Sequence, residues 1–487
     1  MAADERAVIE GVNGQLLIGG EWRDATGGGT LSVEDPSTGG TLCEIADATP
    51  DDAKAALDAA CDAQAGWAAS APNDRASLLH DVFKLLGERV EELAVLMTLE
   101  MGKSVAESKA EITYASEFFR WNAGEALRME GYYKPAGNAA SRVLVMRQPV
   151  GPCYMITPWN FPMAMGTRKI GPAIAAGCTM VIKPAQLTPL SMLKLAELLQ
   201  DAGLPDGVLN VITSSSSGAV SAPIISDPRL RKLTFTGSTE VGQKLIEQSA
   251  QGVLKTSMEL GGNAPFVVFE DADVDDAVEG AMIAKMRNVG EACTSANRFH
   301  VHEDIAEEFA TKLAERMGAL KVGRGVEDGV DVGPLIDDDQ RSKVAELVDD
   351  AVGKGAKALC GARKGDGAGY FYEPTVLTDV PDDANLLTEE IFGPVAPVRT
   401  FKTDEQAIAD ANASEYGLAA YVYTNDIKRA LRVCEGLDTG MIGLNQGMVS
   451  NAGAPFGGVK QSGFGREGGP EGLGEYLEYK YVAMNVG

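Results

Sequence analysis

Seven cysteines are scattered along the 487 residues, at positions 43, 61, 153, 178, 293, 360 and 434, and one of them stands where covalent chemistry is feasible. Cys293 lies in Asn288-Val289-Gly290-Glu291-Ala292-Cys293-Thr294-Ser295-Ala296-Asn297-Arg298, a polar, glycine-containing stretch between a predicted helix and a predicted strand. Such a loop can present a thiol to a cleft. The other six sit mainly in helix or strand contexts, where cysteine acts as a small buried hydrophobe. A thiol nucleophile needs a base or a positive local field, and a thioester formed on it needs a base to activate water. The chain has three histidines, His80, His300 and His302, so the base is sought among carboxylates. Glu259, in Ser257-Met258-Glu259-Leu260-Gly261-Gly262-Asn263, is a lone acid between apolar residues just before a Gly-Gly turn. Burial there would raise its pKa, the alternative being an exposed acid at a strand end.

Other chemistries find less support. The spacing of His300 and His302 fits no zinc motif, CxxC is absent, and an odd number of dispersed cysteines suits a reduced compartment without a disulfide framework, so no metal is expected. The string Gly463-Phe464-Gly465-Arg466-Glu467-Gly468 matches GxGxxG but lacks the buried strand before it and the helix after it that a dinucleotide fingerprint requires. In Gly237-Ser238-Thr239-Glu240-Val241-Gly242-Gln243-Lys244, Gln243 interrupts the order a P-loop needs. What survives is a strand over 233–236 running into a Gly-Ser turn at a helix start, whose free N–H groups could hold one pyrophosphate.

The elements that must position these residues follow from periodicity. Residues 51–127 read as helices, with apolar residues three and four apart. From about 143 the pattern changes to strands bounded by breakers, then to strand-to-helix units at 180–200, 208–225 and 233–248, which implies a parallel sheet. A second α/β series begins near Phe266, with a helix over 274–286, a strand over 299–302 and a helix over 305–317. Residues 456–481 turn glycine-rich and then alternate, like an arm that pairs with another sheet and serves as an oligomer contact. The 43 Lys and Arg face 70 Asp and Glu, a net charge of −27, which disfavours nucleic acid and anionic membranes as partners. Any anionic ligand must therefore be drawn in by cations or helix N-termini inside a cleft. Met1 to Glu10 lacks a basic segment followed by an apolar one, and no window approaches roughly eighteen consecutive apolar residues, so a cytoplasmic protein is expected.

Six blocks, in order, resemble the aldehyde dehydrogenase superfamily: Thr157-Pro158-Trp159-Asn160-Phe161-Pro162, Phe235-Thr236-Gly237-Ser238, Glu259-Leu260-Gly261-Gly262, the Cys293 loop, Glu389-Glu390-Ile391-Phe392-Gly393-Pro394 and Pro455-Phe456-Gly457-Gly458. The resemblance spans nearly the whole chain. It implies an α/β fold with a Rossmann-like coenzyme domain (1–128 and 149–259), an α/β catalytic domain (260–448) and a β-hairpin oligomerisation arm (129–148 and 466–487), in a homodimer or homotetramer. It further implies Cys293 as nucleophile, Glu259 as general base for deacylating water, and Asn160 as a donor, with the Cys293 backbone N–H, to the tetrahedral oxyanion. A donor of that kind is worth about 3 kcal/mol. The nicotinamide cofactor would be held by Ile156, Thr157, Pro158, Trp159, Lys183, Ala185, Gln186, Gly237, Ser238, Glu390 and Phe392. Position 186 bears on its identity: relatives that prefer NAD commonly carry Glu there, whereas neutral Gln186 does not repel a 2′-phosphate, so NADP is expected, with NAD as competitor.

Within the superfamily the chain is most similar to succinate-semialdehyde dehydrogenases, through Thr167-Arg168-Lys169, Ile170-Gly171-Pro172-Ala173, Lys285-Met286-Arg287-Asn288 and the tail from Lys460. That subgroup implies that Arg168, Arg287 and Ser450 hold the substrate's distal carboxylate, a task suited to the planar guanidinium fork. Pairing of one or both arginines with internal acids is the alternative. A glutarate-semialdehyde or broader aldehyde dehydrogenase is the rival function, since one methylene changes affinity by only about 1 to 3 kcal/mol. Glu291, where many relatives have Gln, is expected to raise the thiol pKa or narrow substrate choice. Thr294-Ser295 leaves no neighbouring cysteine for a disulfide switch.

Overall fold

The structure, a computed structural model, describes residues 5–486; residues 1–4 and 487, at the outer ends of two of the expected segments, lie outside the described residues. Two parallel sheets organise the chain. The first runs, in spatial order, through Glu21–Arg23, Leu16–Ile18, Leu209–Val211, Met180–Lys183, Cys153–Ile156, Lys232–Thr236, Lys255–Glu259 and Gly463–Phe464. Its central strands, from Leu209–Val211 to Lys255–Glu259, pair in parallel, and the outer ones join antiparallel. Cys153–Ile156 and Met180–Lys183 are almost wholly buried, as expected of strands covered by helices on both faces.

The helical third predicted for 51–127 resolves into Pro50–Ala68, Pro72–Glu88, Val90–Met101 and Val105–Ala126. The single run read across 76–97 breaks at Arg89, which leaves helical geometry (φ −106°, ψ 10°) and ends one helix while beginning the next. Gly102, at φ +94° in the left-handed region, closes Val90–Met101, and the Ser104 hydroxyl caps Val105–Ala126 by accepting the Glu107 N–H. Val105–Ala126 packs its Ile112, Ala115 and Phe119 side into the main core, against Ala164–Ala176, a helix buried along its full length.

The second sheet follows the order Lys357–Cys360, Thr375–Thr378, Val395–Phe401, Ala296–His302, Ala264–Val268, Ala419–Tyr423 and Met441–Leu444, parallel except at its first pair. Phe266, Phe299, Phe309 and Tyr421 centre its core. A third sheet joins Tyr132–Pro135, Ser141–Pro149 and Leu477–Asn485. The expected arm from residue 466 is shorter in the fold. Its strand begins at Leu477, because Glu467 and the turn of helix Gly469–Gly474 are drawn onto Ala164–Ala176 by buried ion pairs and packing. No helix among the described residues is long and apolar enough to cross a membrane.

Candidate active site

In the first sheet the strand order reverses between Cys153–Ile156 and Lys232–Thr236, and ligands of open parallel sheets settle outside the carboxyl ends at such a point. Ile156 there leads into Thr157-Pro158-Trp159-Asn160, Thr236 into Gly237-Ser238, and Lys183 and Glu259 end their strands. A cavity of about 210 Å³ opens at this place, walled by Pro158, Trp159, Asn160, Gly237, Ser238, Cys293, Glu390 and Phe392 among others. The Trp159 and Phe392 rings meet edge to face with centroids 5.4 Å apart. Gln340 donates to the Ile391 and Phe392 carbonyls at 3.1 and 2.7 Å, holding Phe392 at φ +54°. Glu390 accepts the Gly262 N–H at 3.0 Å, and desolvation pushes its pKa up to about 7. Ser238 is the N-cap of helix Thr239–Ala250. Lys183 is buried, with Nζ donating to the Pro184 carbonyl at 2.9 Å, and burial lowers its pKa to about 8. Ile156, Thr157, Lys183, Ala185 and exposed Gln186 flank the cavity along the strand ends rather than forming its wall.

Cys293 follows a short 3-10 turn, Arg287–Gly290, whose Asn288 and Val289 both occupy the left-handed region, at φ 56° and 58°. For a β-branched valine that geometry costs about 1–3 kcal/mol, so the surroundings must impose it. They do so through Asn288: its N–H donates to Glu107 at 2.5 Å, and its side-chain amide donates to the carbonyls of Asn160 and Glu291 at 2.9 and 3.0 Å. On the other side, a Cβ at Gly262 would lie 2.3 Å from the Cys293 carbonyl oxygen, so only glycine lets the two loops approach. Burial, helped by Glu259 and Glu390 and opposed by Arg168 and Arg287, pushes the Cys293 thiol up to about 12.

The effect expected of Glu291 on that thiol is not what the fold produces. The left-handed turn directs the Glu291 carboxyl into the interior, where one oxygen accepts the Ile336 N–H at 3.1 Å, and it is the Glu291 backbone carbonyl that faces the site. Asn160, buried, donates its side-chain amide to that carbonyl at 2.9 Å and leaves its Oδ1 without a hydrogen bond.

Glu259 is 3% exposed and neither carboxyl oxygen is hydrogen-bonded. Burial, then Glu467, drives its pKa well above the ordinary value, against the pull of Arg168, Lys169 and Arg466. A Cβ at Gly457 would come within 2.9 Å of its Oε1. An acid held without partners near a cluster of cations is suited to exchanging protons with a transient water or thiol.

A second cavity, of about 430 Å³, is walled by Glu107, Tyr114, Phe161, Arg287, Met448 and Ser450 among others. Asn160 and Phe161, consecutive in the chain, thus belong to different cavities. Arg287 donates to Ser450 Oγ at 3.3 Å, with its guanidinium 4.8 Å from the Phe161 ring centre and 5.5 Å from that of Tyr114. Arg168, expected in the clamp with pairing to an internal acid as its alternative, lies deeper. It is 1% exposed, stacks 3.8 Å from the Phe456 ring centre and pairs with Glu467 through one guanidinium nitrogen at 2.6 Å, the internal acid that was its alternative partner. The same Glu467 takes Lys169 at 2.5 Å, and Lys169 also donates to Thr234 Oγ1 at 3.0 Å. Burial would lower the Arg168 pKa, but Glu467 raises it above its ordinary value; burial would raise that of Glu467, but Arg168 and Lys169 hold it below its own.

Several residues of this site were not singled out from the sequence. Glu467 lies inside the discounted glycine string, and Lys103, Glu107 and Glu111 lie in the stretch read only as helices. Gln340 carried no motif at all.

The profile of the aldehyde dehydrogenase family matches residues 22–482. The succinate-semialdehyde dehydrogenase of Paenarthrobacter nicotinovorans is 57% identical over 443 residues, covering 91% of this chain and 98% of that one. The glutarate-semialdehyde dehydrogenase of Pseudomonas putida is 48% identical over 472 residues, covering 97% and 98%. The crystal structure of an NADP-dependent enzyme of E. coli superposes with a TM-score of 0.97 at 48% identity, covering 100% of both chains.

Proposed function

Because this chain belongs to the aldehyde dehydrogenase family, we propose that it oxidises succinate semialdehyde, or a closely similar semialdehyde, to the carboxylic acid with NADP through a thioester on Cys293. The observation that carries this reading is the placing of Cys293 and Asn160 on one cavity and of Phe161, Arg287 and Ser450 on the next. A nucleophile and its oxyanion donor stand on one side of a turn, and a guanidinium with a hydroxyl, a carboxylate receptor, on the other.

The residues at the strand ends fit a dinucleotide. An aromatic pair, Trp159 and Phe392, faces an acid, Glu390, across a cavity at the sheet's switch point, and the buried Thr157 hydroxyl lacks a partner. Glu390 and Phe392 would hold the nicotinamide half, Gly237 and Ser238 the pyrophosphate, and Lys183, Ala185 and Gln186 the adenosine ribose. When bound, the oxidised nicotinamide accepts the hydride. NADP is favoured by neutral Gln186 beside Lys183, and NAD is the competitor.

Glu259 takes the thiol proton, and the thiolate adds to the aldehyde carbon. Asn160 Nδ2 and the Cys293 N–H stabilise the resulting oxyanion, which requires Asn160 to exchange its bond to the Glu291 carbonyl for one to the substrate oxygen. After hydride loss leaves the thioester and Glu259 has passed the thiol proton on to solvent, the ionised Glu259 takes a proton from water, the hydroxide adds, the thiolate departs and the acid is released. Arg168, Lys169 and Arg466 favour the ionised form of Glu259 that both steps need.

We assign 1–128 with 149–259 to coenzyme binding and 260–448 to catalysis. The arm sheet is an oligomer contact: Tyr132, Tyr133, Tyr479 and Tyr481 are each at least half exposed on it, and unpaired sheet edges with such residues invite a second copy. The decisive experiment compares kcat/KM for succinate semialdehyde, glutarate semialdehyde and an uncharged aldehyde of similar length, with NADP and with NAD. Preference for the carboxylated substrates and for NADP is expected. Equal rates for all three aldehydes would make this a broad aldehyde dehydrogenase, and a strong NAD preference would remove the reading of Gln186.

A further inference from the structure

We infer that Lys103 and Glu111 are positioning residues that hold Asn160 ready to receive the oxyanion, an inference that rests on the role proposed above for Asn160. Lys103 is fully buried, follows the glycine that ends Val90–Met101, and extends its ammonium group into the turn after Cys153–Ile156. There Nζ donates to the Asn160 carbonyl at 3.0 Å, pairs with Glu111 at 2.5 Å, and lies 4.5 Å from the centre of the Phe161 ring. One cation therefore touches both residues of the turn that separates the two cavities.

Glu111 completes the device. Its second oxygen accepts the N–H groups of Met163 and Ala164, each at 3.0 Å, and so caps the helix Ala164–Ala176 that carries Arg168 and Lys169. The Asn160 main chain is fixed between the Lys103 ammonium group on one side and the Asn288 amide on the other, 2.9 Å away. With the carbonyl so held, the side-chain amide is aimed at the nucleophile loop, where it now meets the Glu291 carbonyl.

Helix capping alone does not account for the lysine. Glu100, eleven residues earlier, caps Leu190–Asp201 in the same manner, accepting from Leu190 and Ser191 at 2.7 and 2.9 Å. Among the described residues no cation bonds to it, and burial leaves its pKa near 7. A buried carboxylate in this fold can cap a helix unaccompanied. What Lys103 adds is its bond to Asn160 and its place over Phe161.

The test is a double-mutant cycle read by the first turnover, as the burst of reduced nicotinamide on mixing enzyme, NADP and succinate semialdehyde. Asn160→Ala is expected to slow the burst about 100- to 1,000-fold. Lys103→Met is expected to slow it about 10- to 100-fold through misplacement, with KM and NADP affinity little changed. The double variant Lys103→Met/Asn160→Ala is expected to be no slower than Asn160→Ala alone. Because Lys103→Met leaves Glu111 buried without its partner, Lys103→Met/Glu111→Gln is measured beside it; Tm is expected to recover and the burst is not. A folded Lys103→Met with a normal burst, rates that multiply in the Asn160 double variant, or recovery of burst and Tm together would each overturn the inference. A normal burst in Asn160→Ala would instead overturn the proposed role of Asn160, and the inference with it.

Discussion

Arg168 and Arg287 both bear on the Cys293 thiol, yet their surroundings differ in kind. Arg168 lies in the fully buried helix Ala164–Ala176, stacked on Phe456 and paired with Glu467, which Lys169 shares. Arg287 lies on the wall of a cavity of about 430 Å³, touching a hydroxyl and two aromatic rings. The first guanidinium shares one internal carboxylate with Lys169 and still bears on Glu259 and Cys293. The second is bonded to a hydroxyl and borders a cavity. The two arginines thus differ in their nearest partner, a carboxylate for Arg168 and a hydroxyl for Arg287, although Glu107 lines the same cavity as Arg287.

Replacements around the deep cluster should give the largest effects. Glu259→Gln should lower steady-state turnover about 100- to 10,000-fold and slow the burst of reduced nicotinamide by a smaller factor, because deacylation loses the base for water whereas the thiol can still ionise to solvent. Loss of the burst as well would place the main role of Glu259 at the thiol. Arg168→Met breaks a buried pair and should cost about 3–5 kcal/mol in urea unfolding, with activity lost for charged and uncharged aldehydes alike. An Arg168 variant of normal stability that lost only the carboxylated substrate would reverse the contrast drawn here.

The cavity-wall arginine should behave oppositely. Arg287→Ala should raise KM for succinate semialdehyde about 10- to 100-fold, in keeping with a charge-assisted hydrogen bond of about 1.5–3 kcal/mol, and leave Tm and uncharged aldehydes nearly unchanged. A matching loss with uncharged aldehydes would make Arg287 structural. The smallest effect concerns the thiol. With its pKa pushed up to about 12, alkylation of Cys293 by iodoacetamide in the free protein should accelerate about tenfold per pH unit between 7 and 10, since the thiolate fraction rises with pH below the pKa. Removing a cation raises that pKa, so both arginine variants should alkylate more slowly at a given pH. Arg168→Met should do so more than Arg287→Ala, because Arg168 exerts the larger pull.

The parallel strands could be read from the sequence because buried strands are continuous apolar runs, and the loops at their carboxyl ends then place Asn160, Gly237-Ser238 and Glu259 on one edge. The Cys293 loop could be read from its polarity. The partner of Arg168 could not: Glu467 comes from a distant turn that local periodicity does not place, so a receptor and a buried pair look alike in the chain. Lys103, Glu107 and Glu111 lie in a stretch whose periodicity reads as helices and nothing more; the docking of the Asn160 turn and the Asn288 loop against the start of Val105–Ala126 and the break before it is what brings them to the site. The effect expected of Glu291 on the thiol is absent for a different reason. The distance of Glu291 in sequence from Cys293 gave no direction, and two left-handed residues before it rotate its carboxyl away.

The distribution of charge also has a kinetic consequence. Five cations, Lys103, Arg168, Lys169, Lys232 and Lys285, are fully buried in a molecule of net charge −27, so the field met by an approaching anion is that of the exposed acids. Salt shortens the reach of that outer field to about 8–10 Å near physiological strength but scarcely enters the interior. Anionic ligands should therefore arrive faster as ionic strength rises, while contacts made inside the cavities once they have arrived change much less. The barrier to encounter and the strength of retention are written in different layers of the same protein, and the first can be tuned by the medium without altering the second.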